Sequence, residues 1–225
     1  MRLRKIAGAE DRINASPSVI REPEAMRGLW KKEVFQNGRP LYVEIGSGKG
    51  RFLMEMAALH PEVNFLGIEK FPSVLLRAVE KYEETPRENV RFLRFDAEAI
   101  ETVLSLGEAD RIYLNFSDPW PKDRHHKRRL TSREFLKRYE AVLALEGIVE
   151  FKTDNVGLFE FSLREIEASG WEVLSETRDL HKSPMNEGNV MTEYEEKFSI
   201  LGNKICKLIT RPKKKEACHA DTEKK

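Results

Sequence analysis

The chain has 225 residues, of which 40% are hydrophobic, enough for one substantial folded domain with or without an extension. Its 39 lysines and arginines nearly balance 38 aspartates and glutamates, so any nucleic-acid surface must come from local segregation of charge. Cys206 and Cys218 lack ligand-like spacing, which argues against a disulfide framework or structural zinc and fits a reducing cytosol. The opening "MRLRKIAGAEDRINAS" has no apolar run of the signal-peptide kind, and nothing approaches the length of a membrane span. A soluble, cytoplasmic protein is expected.

Residues 1–35, with Pro17 and Pro23, read as a polar and irregular N-terminal arm. A domain over 36–210 follows, and 211–225 reads as a charged, disordered tail. "RPLYVEIG" predicts a strand, "RFLMEMAALH" a helix, "VNFLGIEK" a second strand and "PSVLLRAVEKYEE" a helix with Pro72 in its first turn. "VRFLRFDA" and "RIYLNFSD" predict the third and fourth strands. "TSREFLKRYEAVLALEG" predicts a helix, with Thr131 and Glu134 in capping-box spacing and Gly147 as its stop. "GIVEFKTDN" predicts the fifth strand and "LFEFSLREIEASG" a helix. "WEVLSETRDL" and "YEEKFSILGNKICKLIT" then read as two strands with no helix between them. The alternation implies an α/β fold, a mostly parallel sheet with helices on both faces, closed by an antiparallel C-terminal pair.

"VEIGSGKGRF" places Gly46, Gly48 and Gly50 between the first strand and the first helix, where the backbone can turn sharply and approach a ligand. A dinucleotide fingerprint would want its third glycine where Arg51 stands, and no Gly-Lys-Ser/Thr loop exists. Glu44, just before the loop, would repel a pyrophosphate but tolerate a ligand carrying an ammonium and a sulfonium. Glu69 ends the second strand, where such folds bind ribose hydroxyls, and Asp96 ends the third, within reach of an adenine amino group. These acids converge on one edge of the sheet.

Together the glycine loop and acids resemble the S-adenosylmethionine (SAM) pocket of the Rossmann-like class I methyltransferases, and the terminal strand pair resembles the hairpin closing their seven-stranded sheet. "SDPWPKDRHHKRR", "FKTDN" and "MTEYEEKF" narrow the likeness. From about Leu41 to Ile209 the chain resembles the bacterial tRNA (guanine-N7)-methyltransferases. The resemblance implies SAM as methyl donor and tRNA as partner, with the variable-loop guanosine at tRNA position 46 as acceptor. It implies that Glu44, Glu69, Asp96 and Asp118 line the SAM pocket with the glycines, and that Asp118 is catalytic. Lys122, Asp154, Thr192, Glu193, Tyr194 and Glu195 would hold the substrate.

Arg124, His125, His126, Lys127, Arg128 and Arg129 would meet the RNA. As a charge run alone, this stretch reads equally well as a solvated face. With Lys122, five cations beside the reacting edge would give a sequence-independent hold on phosphates. Adjacent histidines with no other clustered ligands make poor chelators, so no metal is expected. Trp120 reads equally as a base platform or a core residue. An amino-group methyltransferase would show a second proline where Trp120 stands. A non-catalytic RNA-binding module would not need the glycine loop and four acids. Monomer and homodimer both remain open.

Overall fold

The strands follow from alternation of apolar side chains between two helix-covered faces. In the computed structural model, which describes residues 6–214, β1 (Leu41–Ile45), β2 (Asn64–Glu69), β3 (Val90–Arg94), β4 (Ala109–Asn115) and β5 (Leu143–Thr153) pair in parallel. β6 (Trp171–Thr177) and β7 (Cys206–Pro212) complete the sheet, β7 running antiparallel to both its neighbours. The order is β3-β2-β1-β4-β5-β7-β6. Between β1 and β4 the winding reverses, and open sheets of this kind leave a crevice there at the C-terminal ends of their strands.

On one face, α1 (Ala9–Ala15), α2 (Arg51–Leu59) and α3 (Pro72–Glu84) pack Ile13, Phe52, Leu53 and Leu75 against Phe65, Phe92 and Tyr113. On the other, α4 (Arg133–Glu140) and α5 (Val156–Ala168) pack Phe135, Leu136 and Phe159 against Val43, Ile45, Leu66, Ile68 and Ile112. The last helix, α6 (Glu193–Ile200), precedes β7.

Three expectations need correction. The first concerns the N-terminal arm, of which residues 6–35 are ordered into α1, a 3-10 turn at Pro23–Met26 and a π-helical turn at Trp30–Val34. Val19 bridges Phe92, with Ser18 O and Ile20 N–H taking up the Phe92 amide and carbonyl, so the segment covers the otherwise open edge of β3. Sparse apolar residues, Ile13, Val19 and Trp30, do the docking, and they are too few to give a periodic signal.

Second, the helix after the basic run stops at Glu140, and Leu143–Thr153 is all strand. Gly147 is inside that strand, where a Cβ would come within 2.9 Å of the Ala144 carbonyl oxygen. Thr131 does not cap; Ser132 occupies that position, and Thr131 Oγ1 instead accepts from Ser162 Oγ at 2.7 Å. Third, "YEEKFSI" is helical. Thr192 caps it, its hydroxyl accepting from the Glu195 N–H at 2.9 Å, and the strand begins only at Cys206. That strand runs through Pro212, into the expected tail; residues 215–225 of the tail lie outside the described residues.

One carboxylate ties the N-terminal segment to the sheet. Glu108 Oε2 accepts from the N–H groups of Gly28 and Ser105, and Oε1 from that of Trp30, while the buried Trp30 indole donates to Val103 O at 2.7 Å. Glu108→Gln would set an amide donor against these donors, at about 1.5–3 kcal/mol per charged hydrogen bond disturbed. A urea-unfolding loss of at least about 2 kcal/mol is expected. A midpoint unchanged from wild type would contradict this anchoring.

Candidate functional site at the C-terminal edge of the sheet

A cleft of about 380 Å³ opens beyond the C-terminal ends of β1, β2, β3 and β4. Gly46, Glu69, Asp96, Asp118, Trp120 and Arg128 line it, with Phe71, Phe95 and Phe135 as apolar wall. The structure thus brings together most of the acids singled out in the sequence.

Glu44, next to the cleft-lining Ile45 and Gly46, does not itself line the cleft and is 2% exposed. By strand alternation it shares a face with Tyr42, a position that ordinarily takes an apolar side chain. Its Oε1 accepts from Asn115 Nδ2 at 2.8 Å, and Oε2 is buried with no hydrogen-bond partner. Burial pushes its pKa up to about 8, against the pull of Asn115 and of the Lys152 ammonium. Such an orphaned carboxylate oxygen fits a ligand bearing an ammonium group.

Glu69 Oε1 accepts from Phe71 N–H and Oε2 from Gly48 N–H, so it shapes the glycine loop while facing the cleft. Burial raises its pKa despite those bonds. Each of its oxygens keeps a lone pair for a ligand hydroxyl. Asp96 accepts from Glu98 N–H and is ion-paired with Lys70; burial alone would raise its pKa, but these contacts outweigh it and hold it low. Among the glycines only Gly46 reaches the cleft. Gly50, at φ +76°, abuts α3, where a Cβ would fall 2.8 Å from that of Ala78; its role is packing.

Asp118 is exposed, and its carboxylate makes no hydrogen bond or ion pair with the described residues. Its loop is nonetheless held tightly. Phe116 and Trp120, on either side, both take left-handed backbone conformations at φ 52° and 40°, which cost bulky residues of order 1–3 kcal/mol each. Phe116 N–H donates to Lys152 O at 2.9 Å. Arg129 donates from Nε to Pro119 O and from Nη2 to Trp120 O, with its guanidinium 4.2 Å from the Phe161 ring centroid. Arg129 is therefore a clamp on the loop, where the sequence suggested an RNA contact.

The rest of the basic run forms a 3-10 turn, Asp123–Arg128, with no buried residue. Lys122 is exposed; Arg124 donates to His125 Nε2, His126 Nδ1 lies 2.8 Å from Asp123 O, and Lys127 faces Glu134 at 3.4 Å. Arg128 lies over the half-buried Trp120 ring at 4.7 Å, and His125 meets that ring edge-on. Trp120 belongs to the rim of the cleft and not to the core. Among the described residues no group of three His, Cys, Asp or Glu side chains could hold a metal ion, and no helix is long and apolar enough to cross a membrane.

The α6 segment does not line the cleft but stands beside it. Tyr194 packs on Phe116 at 4.9 Å and donates to Asp154 Oδ2, which also accepts from Asn203. Glu193 takes Lys49 and Lys81, whose charges outweigh the cost of burial and hold its pKa low; Glu196 pairs with Arg51. These pairs strap α6 across the glycine loop. Glu195 is fully buried, its carboxylate bonded to Lys152, Asn189 and His181. Lys152, Asn115, Phe116 and Asn189 were not singled out by the sequence reading. A lysine at an inward position of an apolar strand was the one signal available, and it pointed to Lys152 alone.

A family model described as "Putative methyltransferase" matches residues 38–208. A protein of Lachnoclostridium phytofermentans named tRNA (guanine-N(7)-)-methyltransferase is 54% identical over 209 residues, covering 93% of this chain and 97% of that one. A relative of the same name from Geobacillus thermodenitrificans is 51% identical, covering 94% and 99%. Among solved structures, an antibiotic-related methyltransferase matches with a TM-score of 0.61 at 18% identity, over 79% of this chain and 90% of that one. A ribosomal protein L11 methylase from Lactobacillus delbrueckii matches at 0.53 and 11%, over 79% and 72%, which establishes a shared fold.

With Trp30 and Trp171 buried, Trp120 is the tryptophan open to a quencher. Arg129→Lys leaves one short ammonium where a fork held two carbonyls. Acrylamide quenching of the fluorescence should rise by about half, while the unfolding free energy falls by no more than about 2 kcal/mol. Unchanged quenching would mean that the loop keeps its shape without the clamp.

Proposed function

This chain belongs to the bacterial tRNA (guanine-N7)-methyltransferase family, and we propose that it transfers the methyl group of SAM to N7 of the variable-loop guanosine of tRNA. The observation that carries this reading is Asp118, an uncommitted carboxylate fixed by a strained loop between an acid-lined cleft and an exposed cationic turn. A tRNA acceptor also places the work in the cytoplasm.

When bound, SAM supplies an electrophilic methyl group on a sulfonium. Glu44 would receive the ammonium of its amino-acid end, Glu69 the ribose hydroxyls and Asp96 the adenine amino group. The orphaned Glu44 oxygen is the feature that fits this ligand. Guanine N7 carries an in-plane lone pair, so no proton must leave before attack and no general base is required. Rate then comes from orientation and from charge stabilisation as the purine becomes positive. Asp118 does both, accepting from the guanine N1–H and amino group while countering the developing charge. Lys122, Arg124, Lys127 and Arg128 contribute phosphate contacts. Asp154, Thr192 and Tyr194, beside Phe116, form the acceptor-side wall.

Incubation with methyl-labelled SAM and bulk tRNA, followed by nucleoside mapping, should give 7-methylguanosine. Label in any other nucleoside would overturn the reading. At saturating SAM and tRNA, Asp118→Asn should slow single-turnover methylation by roughly a hundredfold. A rate within threefold of wild type would remove Asp118 from the reaction.

SAM binding should also depend on pH. Free Glu44 is protonated below about 8 and must ionise to meet an ammonium, so binding releases a proton. Affinity should therefore rise with pH toward about 8 and fall above it, where the α-amino group of SAM, ordinarily near about 7.7–8.0, loses its own proton. Isothermal titration across pH 6–9 gives the profile, and Glu44→Gln should flatten its acid limb. A wild-type affinity independent of pH over this range would refute the assignment.

A further inference from the structure

Lys152 is 1% exposed and Glu195 0%, and they meet at 2.6 Å. The ammonium has three donors, and all are used: Glu195 Oε2, Val190 O at 2.9 Å and Asn189 Oδ1 at 3.2 Å. The other Glu195 oxygen accepts from Asn189 Nδ2 at 2.8 Å and meets His181 Nε2 at 3.0 Å. A carboxylate so committed has nothing left with which to read a purine. The resemblance nonetheless assigns Glu195 to substrate.

The connections run outward in two directions. Glu195 N–H is bonded to Thr192, and the neighbouring Tyr194 packs on Phe116. Lys152 sits in register with Asn115, the residue bonded to Glu44, and its carbonyl takes the Phe116 N–H. One buried charge thus lies between the cofactor acid and the loop that presents Asp118.

We propose that Lys152 and Glu195 are positioning residues, a buried pair that seats the Thr192–Tyr194 segment against the Asp118 loop and spans the cofactor and acceptor sides of the site. This rests on the functional reading above. Neither residue touches substrate. Lys152 also favours the ionised form of Glu44, whose other close influences are the Asn115 amide and the repelling Glu69 carboxylate. An ion pair kept for stability alone could be exchanged for apolar residues of similar volume without functional loss.

The test compares wild type, K152M, E195Q and K152M/E195Q as full chains. At saturating tRNA and SAM, each single variant should slow single turnover by about thirtyfold, in line with an ångström-scale misplacement. The double variant should be no more than about threefold slower than the slower single, as expected when both act through one pair. Multiplying losses would show Glu195 acting on the acceptor independently of Lys152, and overturn the proposal. So would a K152M rate within threefold of wild type.

Two further arms guard the result. K152M should move the Glu44 titration of the free protein, followed by carbon NMR of its carboxyl, upward by about one unit; an unmoved midpoint overturns the link to Glu44. That arm needs no acceptor, so it stands even if the wild type fails to make 7-methylguanosine, a failure that would count against the functional reading alone. Should K152M not fold, K152M/E195M leaves no lone buried charge. Folded by circular dichroism, it should be as slow as the singles, and a wild-type rate there also overturns the proposal.

Discussion

A carboxylate at an inward-facing position of the central strand is the constraint around which this molecule is arranged. Glu44 occupies a place where Tyr42 and its neighbours build core, and burying it ionised without compensation would cost several kcal/mol. The fold compensates only in part. Asn115, at the end of the adjacent strand, satisfies one oxygen, and Lys152, in the next strand, supplies a nearby positive charge. The remaining oxygen is left without a partner. What would be an error in a structural core is, on the proposed function, an incomplete site that a cationic ligand completes.

The same strands carry this constraint outward. Lys152 is itself too buried to stand alone, so it draws in Glu195 and the Asn189–Val190 turn, which bring α6 to the edge of the cleft. Asn115 is followed by Phe116, whose left-handed backbone turns the chain so that Asp118 faces the cleft. Arg129, further on, folds back to hold the turn closed. Strain of this kind persists only where surrounding contacts over-determine it, and here those contacts are identifiable. Asp118 needs no partner of its own because its loop has several.

Much of this was readable in the sequence, for reasons that can be named. Alternating apolar runs set the five parallel strands, and the glycine loop with Glu69 and Asp96 marked the binding edge. The failures are equally physical. Thr192 and Glu195 stand in capping-box spacing, yet the apolar residues of "YEEKFSI" suggested a strand, and the cap won. Gly147 read as a helix stop because a glycine demanded by close backbone contact looks the same in sequence. Arg129 could not be told from its basic neighbours, since its partners are carbonyls brought near by the turn. Long-range pairing such as that of Lys152 with Glu195, 43 positions apart, leaves no local pattern at all.

The account turns on the protonation state of one buried acid, and that can be observed directly. Carbon NMR titration of the side-chain carboxyls in protein labelled at glutamate, with Glu44→Gln to assign the resonance, follows Glu44 itself. In the free protein its signal should titrate near 8, far from the other glutamates, and with SAM bound it should remain ionised down to well below neutrality. A Glu44 signal that titrates in the ordinary carboxylate range in the free protein, or that SAM leaves unmoved, would contradict the claim that this fold holds a buried acid in wait for a cation.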